Sequence, residues 1–254
     1  MIKIFVVTHK ENPPLKNDLF IPLQVGVNES ITNSIIRDNI LDNIANKNSN
    51  YCELTAAYWI WKNYNQSEYV GICHYRRYLN FYNPFYNLKP SSQKKIKLAD
   101  FKKTKIFNKD PEVLQKKITS ILNKFDIIIC KPYDLKKGTI TKNYCDDHRK
   151  EDWDLTKKII AEKHSEYKES IIKYLDNGKL FHNGNMMICS KEKFDAYHAW
   201  LFSILFELET KIEIPKEQYQ ARLFGFISER LLNLYIYHNN FKIKAVPSYR
   251  IIDL

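Results

Sequence analysis

The chain has 254 residues, 44% of them hydrophobic and 14% aromatic, which is too apolar for a disordered polymer and enough to bury one large core. Its longest apolar runs, such as Ile127 to Cys130 and Trp200 to Phe206, fall far short of the roughly 20 residues of a membrane-spanning helix. A formal net charge of +11 points to an anionic partner, and a sugar nucleotide, an anionic lipid surface and a nucleic acid all qualify.

No Gly/Ser/Pro-rich linker divides the chain, so residues 1–254 read as one domain. The five cysteines are scattered without a CxxC pair, which supports neither a zinc knuckle nor a disulfide framework. The N-terminus enters a strand pattern without an apolar leader segment, so the expected location is the cytoplasm.

Residues 2–8 form a β-branched run with the polar tip Thr8-His9-Lys10, followed by a Pro-containing loop that starts at Glu11-Asn12. Residues 20–26 predict a short strand that Pro22 confines to an edge or an end. Residues 51–62 carry apolar positions at helical spacing behind a capping Asn48-Ser49 and predict one helix. Residues 69–73 are a buried strand that runs directly into His74-Tyr75-Arg76-Arg77-Tyr78. Residues 89–109 are lysine-rich and weakly patterned, and read as a surface loop. A helix from Pro111 to Asn123 and a strand over 125–130 follow, then a polar stretch over 136–150. Helices over 151–163 and 165–175, a strand over 186–189, helices over 192–211 and 219–237 and a last strand over 241–246 complete the chain. The stripe Trp200, Leu201, Ile204, Leu205 and Leu208 has the spacing of one buried helix face. This alternation implies an α/β fold with a mainly parallel central sheet flanked by helices.

The strongest chemical signal is His74-Tyr75-Arg76-Arg77, because guanidinium groups at a strand tip can bond a diphosphate and offset its charge. The chain resembles the DUF4422 family of GT-A-like proteins from capsule, exopolysaccharide and O-antigen gene clusters. The resemblance rests on residues 4–10, 22–26, 51–56, 69–78, 185–188 and 224–230 in that order. It implies a single GT-A-like, Rossmann-like domain that transfers a sugar, galactose or galactofuranose among the candidates, from a UDP-sugar to a growing bacterial surface glycan. A lipid-linked or oligosaccharide acceptor and peripheral contact with the inner face of the membrane follow from that role, and nucleic acid does not. The alternative is a non-catalytic sugar- or nucleotide-binding scaffold, because the Asp-x-Asp that holds a divalent metal in most GT-A enzymes is missing after Cys73.

Two solutions stay open for the leaving diphosphate. Arg76 and Arg77 replace the metal as a clamp, with no cofactor required, or Mn2+ or Mg2+ is held by His74 with carboxylates from elsewhere. The clamp is the preferred reading. The resemblance places Thr8, His9, Lys10, Gln24, Gly26 and Glu53 with His74, Arg76 and Arg77 around the donor. Inverting transfer needs a carboxylate base, for which Asp152, Asp154 and Glu229 are the candidates. Trp153, flanked by the two aspartates, is expected to stack on an acceptor sugar, and the amides and ring of His182, Asn183 and Asn185 to meet sugar hydroxyls.

Overall fold

The computed structural model describes residues 1–10, 13–27, 35–82, 93–136 and 138–254. The loop at Glu11-Asn12 and the first residues of the lysine-rich segment, 89–92, lie outside them.

The apolar run at the N-terminus becomes β1 (Ile2–Thr8), the hub of the sheet, because strands occupy both of its edges. On one side lie β2 (Phe20–Gln24) and β3 (Ile36–Arg37), on the other β4 (Tyr69–His74), and all three run parallel to β1. Pro22 pairs with Val6 of β1, while β3 reaches only Leu23 and Gln24, so among the described residues Pro22 has a strand on one side alone, as expected of an edge position. The short hairpin strand β5 (Arg77–Leu79) and then β6 (Gln93–Ile96), β7 (Ile127–Cys130), β10 (Met187–Ser190), β11 (Ile243–Val246) and β12 (Ser248–Ile251) complete the sheet, while β8 (Tyr133–Asp134) and β9 (Leu180–Phe181) form a separate ribbon. Along the main path only β10 is antiparallel, wedged between β4 and β7. The expected mainly parallel sheet is therefore present.

Helices cover both faces. The face that carries Phe5 and Ile72 packs against α2 (Leu54–Asn63), α7 (Lys150–Lys163), α9 (Lys191–Glu209) and α10 (Leu223–His238); the opposite face, with Ile4 and Val6, is closed by α3 (Leu98–Phe101), α4 (Lys105–Asn108) and α5 (Pro111–Leu122). The alternation of strand side chains between faces dictates this division. The stripe on α9 is core as expected: Trp200 is 7% exposed and Leu201, Ile204, Leu205 and Leu208 are fully buried.

Three local readings change. The predicted helix over 51–62 is broken into α1 (Asn48–Tyr51) and α2 by Cys52, whose φ of 52° and ψ of −129° cannot continue a helix. The lysine-rich segment is not a loop: β6 pairs in parallel with β12, and α3 and α4 bury Phe101 and Ile106. The polar stretch over 136–150 contains α6 (Ile140–Asp147), capped by Thr139, whose hydroxyl accepts from the Lys142 amide.

Asp38 anchors the turn after β2. Its side chain is fully buried and accepts a 2.9 Å hydrogen bond from Gly26 N–H, which Gly26 presents from a φ of +87°. Burial, opposed by the bonds from Thr55 and Gly26, raises its carboxyl from 3.8 to about 6. The folded state thus holds the proton more tightly than the unfolded chain, so stability from this group is greatest at low pH and is lost as pH rises from about 4 to about 6. Asp38→Asn keeps the carbonyl acceptor and removes the charge, and is expected to gain up to about 3 kcal/mol relative to wild type on moving from pH 4 to pH 8. Urea midpoints of both proteins across that range check it.

Candidate active site

A cavity of about 740 Å³ opens at the carboxyl ends of β1 and β4, where ligands of open α/β sheets collect. β4 turns back into β5 through Tyr75 and Arg76 alone, so His74 pairs with Arg77 across a two-residue hairpin. Arg76 is thereby held at the tip, while Arg77 joins a second strand. There β12 pairs antiparallel with β5 and sets Arg250 directly opposite Arg77. Both residues line the cavity, together with Arg76 and Arg222. Two guanidinium groups facing one another across a strand pair repel in an empty site, and a shared anion converts that repulsion into attraction.

Two carboxylates oppose this cationic wall. Glu53 owes its position to the break at Cys52: it is the N-cap residue of α2 and enters the cavity instead of continuing the helix. Asn185, 5% exposed, holds it from behind, donating from Nδ2 to Glu53 Oε1 at 2.7 Å and to Ser228 Oγ at 2.9 Å. Glu229 enters from α10. Its Oε1 accepts from Gly184 N–H at 2.9 Å, an amide turned toward it by the Gly184 φ of +75°, and its Oε2 lies 3.3 Å from Arg230 Nη1. Burial pushes the Glu229 carboxyl above the ordinary glutamate value against the pull of Arg230, the Glu53 charge raises it further, and Arg77 and the Gly184 bond oppose the rise. Such a carboxyl is a better proton acceptor than a solvated one.

The tip of β1 forms another wall. Thr8 closes a turn by accepting from the Lys10 amide at 2.9 Å, and the His9 ring meets Tyr75 edge-on at 4.9 Å. The guanidinium of Arg76 lies 5.6 Å from the centre of the Tyr75 ring. Burial, with the nearby charges of Lys10 and Arg76, lowers the His9 pKa. His74 is also held below the usual histidine range, chiefly by burial, and its Nε2 is shielded from solvent without a hydrogen bond among the described residues.

Of the residues singled out in the sequence, Thr8, His9, Glu53, His74, Arg76, Arg77 and Glu229 converge on this cavity. Val25 lines it, whereas its neighbours Gln24 and Gly26 are buried beside it and Lys10 lies outside the lining. Asn185 lies outside the lining and bonds Glu53. His182 and Asn183 are set back: the His182 amide donates to Asn233 Oδ1 at 2.9 Å, its Nδ1 lies 2.6 Å from the Cys130 carbonyl, and the Asn183 carbonyl accepts from the Cys130 thiol.

Asp152, Trp153 and Asp154 are not brought to the cavity. Trp153 is fully buried, stacked on Tyr144 at 4.8 Å with its indole N–H donating to Thr141 Oγ1, and so cannot stack on a sugar. Asp152 is 2% exposed and paired with Arg149 at 3.4 Å, and Asp154 pairs with Lys150 along the outside of α7. The helical period turns position 153 inward, with Thr156 and Ile160, and leaves the flanking acids to salt bridges. Asp154→Asn is expected to change stability by less than about 1 kcal/mol, as for a surface pair, and urea midpoints of the two proteins check it.

Sequence reading missed Arg222, Arg250, Tyr219 and Phe226. Arg222, Phe226 and Glu229 recur at intervals of four and three residues, a face that could have been read from helical spacing; Arg250 comes from a strand that no periodicity announced.

Among the described residues, no group of three or more His, Cys, Asp or Glu side chains converges in a way that could hold a metal ion. The groups at the end of β4 are a histidine held below its usual range and the guanidinium groups of Arg76 and Arg77, whereas Mg2+ and similar hard cations take several oxygen ligands, so these residues do not fit such an ion.

The mainly parallel central sheet and a cationic cavity at the strand ends define a GT-A-like α/β protein. The chain belongs to the DUF4422 family, described as a domain of unknown function, whose profile matches residues 3–240. Among solved structures it is similar to the apo form of the bifunctional glycosyltransferase WbbM, with 28% identity and a TM-score of 0.84 over 99% of this chain. The chain spans 45% of that longer protein. A comparison with curated proteins finds no match.

Proposed function

We propose that the protein is a glycosyltransferase that takes a sugar from a nucleoside diphosphate donor, UDP-linked, and adds it to a bacterial surface glycan. The observation that carries this reading is the pairing of Arg77 opposite Arg250, with Arg76 at the hairpin tip, around one cavity. The likeness to a bifunctional glycosyltransferase supports it.

In this reading the diphosphate sits among Arg76, Arg77 and Arg250, and the base and ribose lie toward His9 and Tyr75. Glu229 accepts the proton of an acceptor hydroxyl; that oxygen bonds to the anomeric carbon as the bond from that carbon to the diphosphate oxygen breaks. UDP leaves carrying the electron pair, and the guanidinium groups stabilise the negative charge that grows on it. No metal enters this sequence. Attack from the side opposite the leaving group inverts the anomeric centre, with galactose or galactofuranose as the sugar transferred.

No described helix is long and apolar enough to cross a membrane. The seven lysines between residues 94 and 109 are all exposed and supply a basic surface for peripheral contact with anionic lipid, from which a lipid-linked acceptor would be reached.

The test is UDP release from a panel of UDP-sugars in EDTA. Release from at least one of them, lost in Glu229→Gln, supports the enzyme; tight UDP binding without release from any of them supports a nucleotide-binding scaffold instead.

A further inference from the structure

The cavity also carries an aromatic wall that the donor does not use in the reading above, on which this inference rests. Tyr219 is 52% exposed and lines the cavity with Phe226. Their ring centres are 5.0 Å apart, and the ring of His148, from the end of α6, stacks under Phe226 at 4.2 Å with an interplanar angle of 18°. The wall is braced. His148 Nδ1 lies 2.9 Å from Gln220 Oε1, Gln220 Nε2 donates to the Asp147 carbonyl at 2.9 Å, and the Tyr219 amide donates to Glu217 Oε1 at 2.8 Å. An exposed tyrosine held in this way offers an apolar ring face beside a charged cavity, which a ligand with its own apolar face can cover.

We propose that Tyr219 and Phe226 form the acceptor subsite, on which the C–H face of a sugar ring of the acceptor stacks. The chemistry is specific to that occupant. A sugar ring offers apolar C–H groups to an aromatic face and hydroxyls around its edge. On α10, Phe226 and Glu229 are three residues apart and therefore one turn apart on the same face, so a ring stacked on Phe226 has edge hydroxyls within reach of the Glu229 carboxylate. Arg222, whose guanidinium lies 5.6 Å from the Phe226 ring centre, stands between the wall and Glu53 and offers donors to the same edge. A nucleobase is the competing occupant, but it would have to lie away from the His9 and Tyr75 wall at the tip of β1.

The experiment is saturation-transfer NMR with methyl glycosides of galactose, glucose, mannose and N-acetylglucosamine, each with UDP-saturated protein, in wild type, Tyr219→Ala and Tyr219→Phe. UDP affinity of each protein is measured separately by calorimetry. The expected result is transfer to the ring C–H protons of at least one glycoside in wild type and Tyr219→Phe, a fall of about tenfold in Tyr219→Ala, and UDP affinity unchanged within about twofold. No transfer from any glycoside to wild type, or equal transfer in Tyr219→Ala, overturns the subsite. Loss of UDP affinity in Tyr219→Ala also overturns it, assigning the wall to the nucleobase. Failure of wild type to bind UDP at all would instead strike at the transferase reading, so the two failures are distinct.

Discussion

Glu229→Gln is expected to lower turnover by about 10²- to 10⁴-fold while leaving the affinity for UDP close to wild type, the signature of a lost general base. The replacement is nearly isosteric, and its carbonyl can still accept the bond that Glu229 Oε1 takes from the Gly184 amide. Arg230 retains its bonds to the Phe226 carbonyl and Asn143 Oδ1, so the helix face should survive the change. The pH profile supplies a second readout. Glu229 must be ionised to accept a proton, and its pKa lies above the ordinary 4.5, chiefly because it is buried. Wild-type turnover should therefore fall as pH drops through that raised value, and the limb should vanish in Glu229→Gln. Steady-state kinetics of UDP release between pH 4 and pH 8 measure both. An unchanged profile in the variant would hand the base role to Glu53, the other carboxylate in the cavity.

Arg77→Ala is expected to weaken UDP binding by about 30-fold or more, the equivalent of about 2 kcal/mol, because a desolvated guanidinium bonded to phosphate is lost from the centre of the site. The same change should cost the ligand-free protein little. Arg77 faces Arg250 across the strand pair, and like charges directly opposed destabilise a sheet by roughly 0.2–1 kcal/mol, so the repulsion removed offsets the attraction to Glu229 that is lost with it. Thermal unfolding of the two proteins without and with UDP separates the effects: similar midpoints without nucleotide, and a shift on adding UDP that is large in wild type and small in the variant. A variant that unfolds easily but binds UDP normally would make Arg77 a structural residue.

The β1 and β4 side of this cavity was legible in the sequence because strands announce their own ends. A buried run such as residues 69–73 can only be followed by a tip, and its next residues place His74, Arg76 and Arg77 there. The same logic reached Thr8 and His9 on β1. It could not reach Arg250, because the register that sets Arg250 opposite Arg77 depends on a strand paired far along the chain. It also could not foresee that Cys52 would take a positive φ and swing Glu53 out of the expected helix into the cavity. The error over Trp153 had a different origin. An aromatic residue between two acids looks like a sugar platform, but the helical period that places Thr156 and Ile160 inward places Trp153 with them. Tyr219 and Phe226 provide an aromatic surface where Trp153 does not, and they were passed over because the predicted helix over 219–237 swallowed the turn that exposes Tyr219.

The central claim is that arginines, without a bound cation, hold a uridine diphosphate at the ends of β1 and β4. The most direct test is calorimetric titration of wild type and Arg77→Ala with UDP and with GDP, each in EDTA and in manganese. The account predicts UDP binding in EDTA, no gain from manganese, and loss in the variant. UDP binding that appears only with manganese, or no nucleotide binding in any condition, would contradict it.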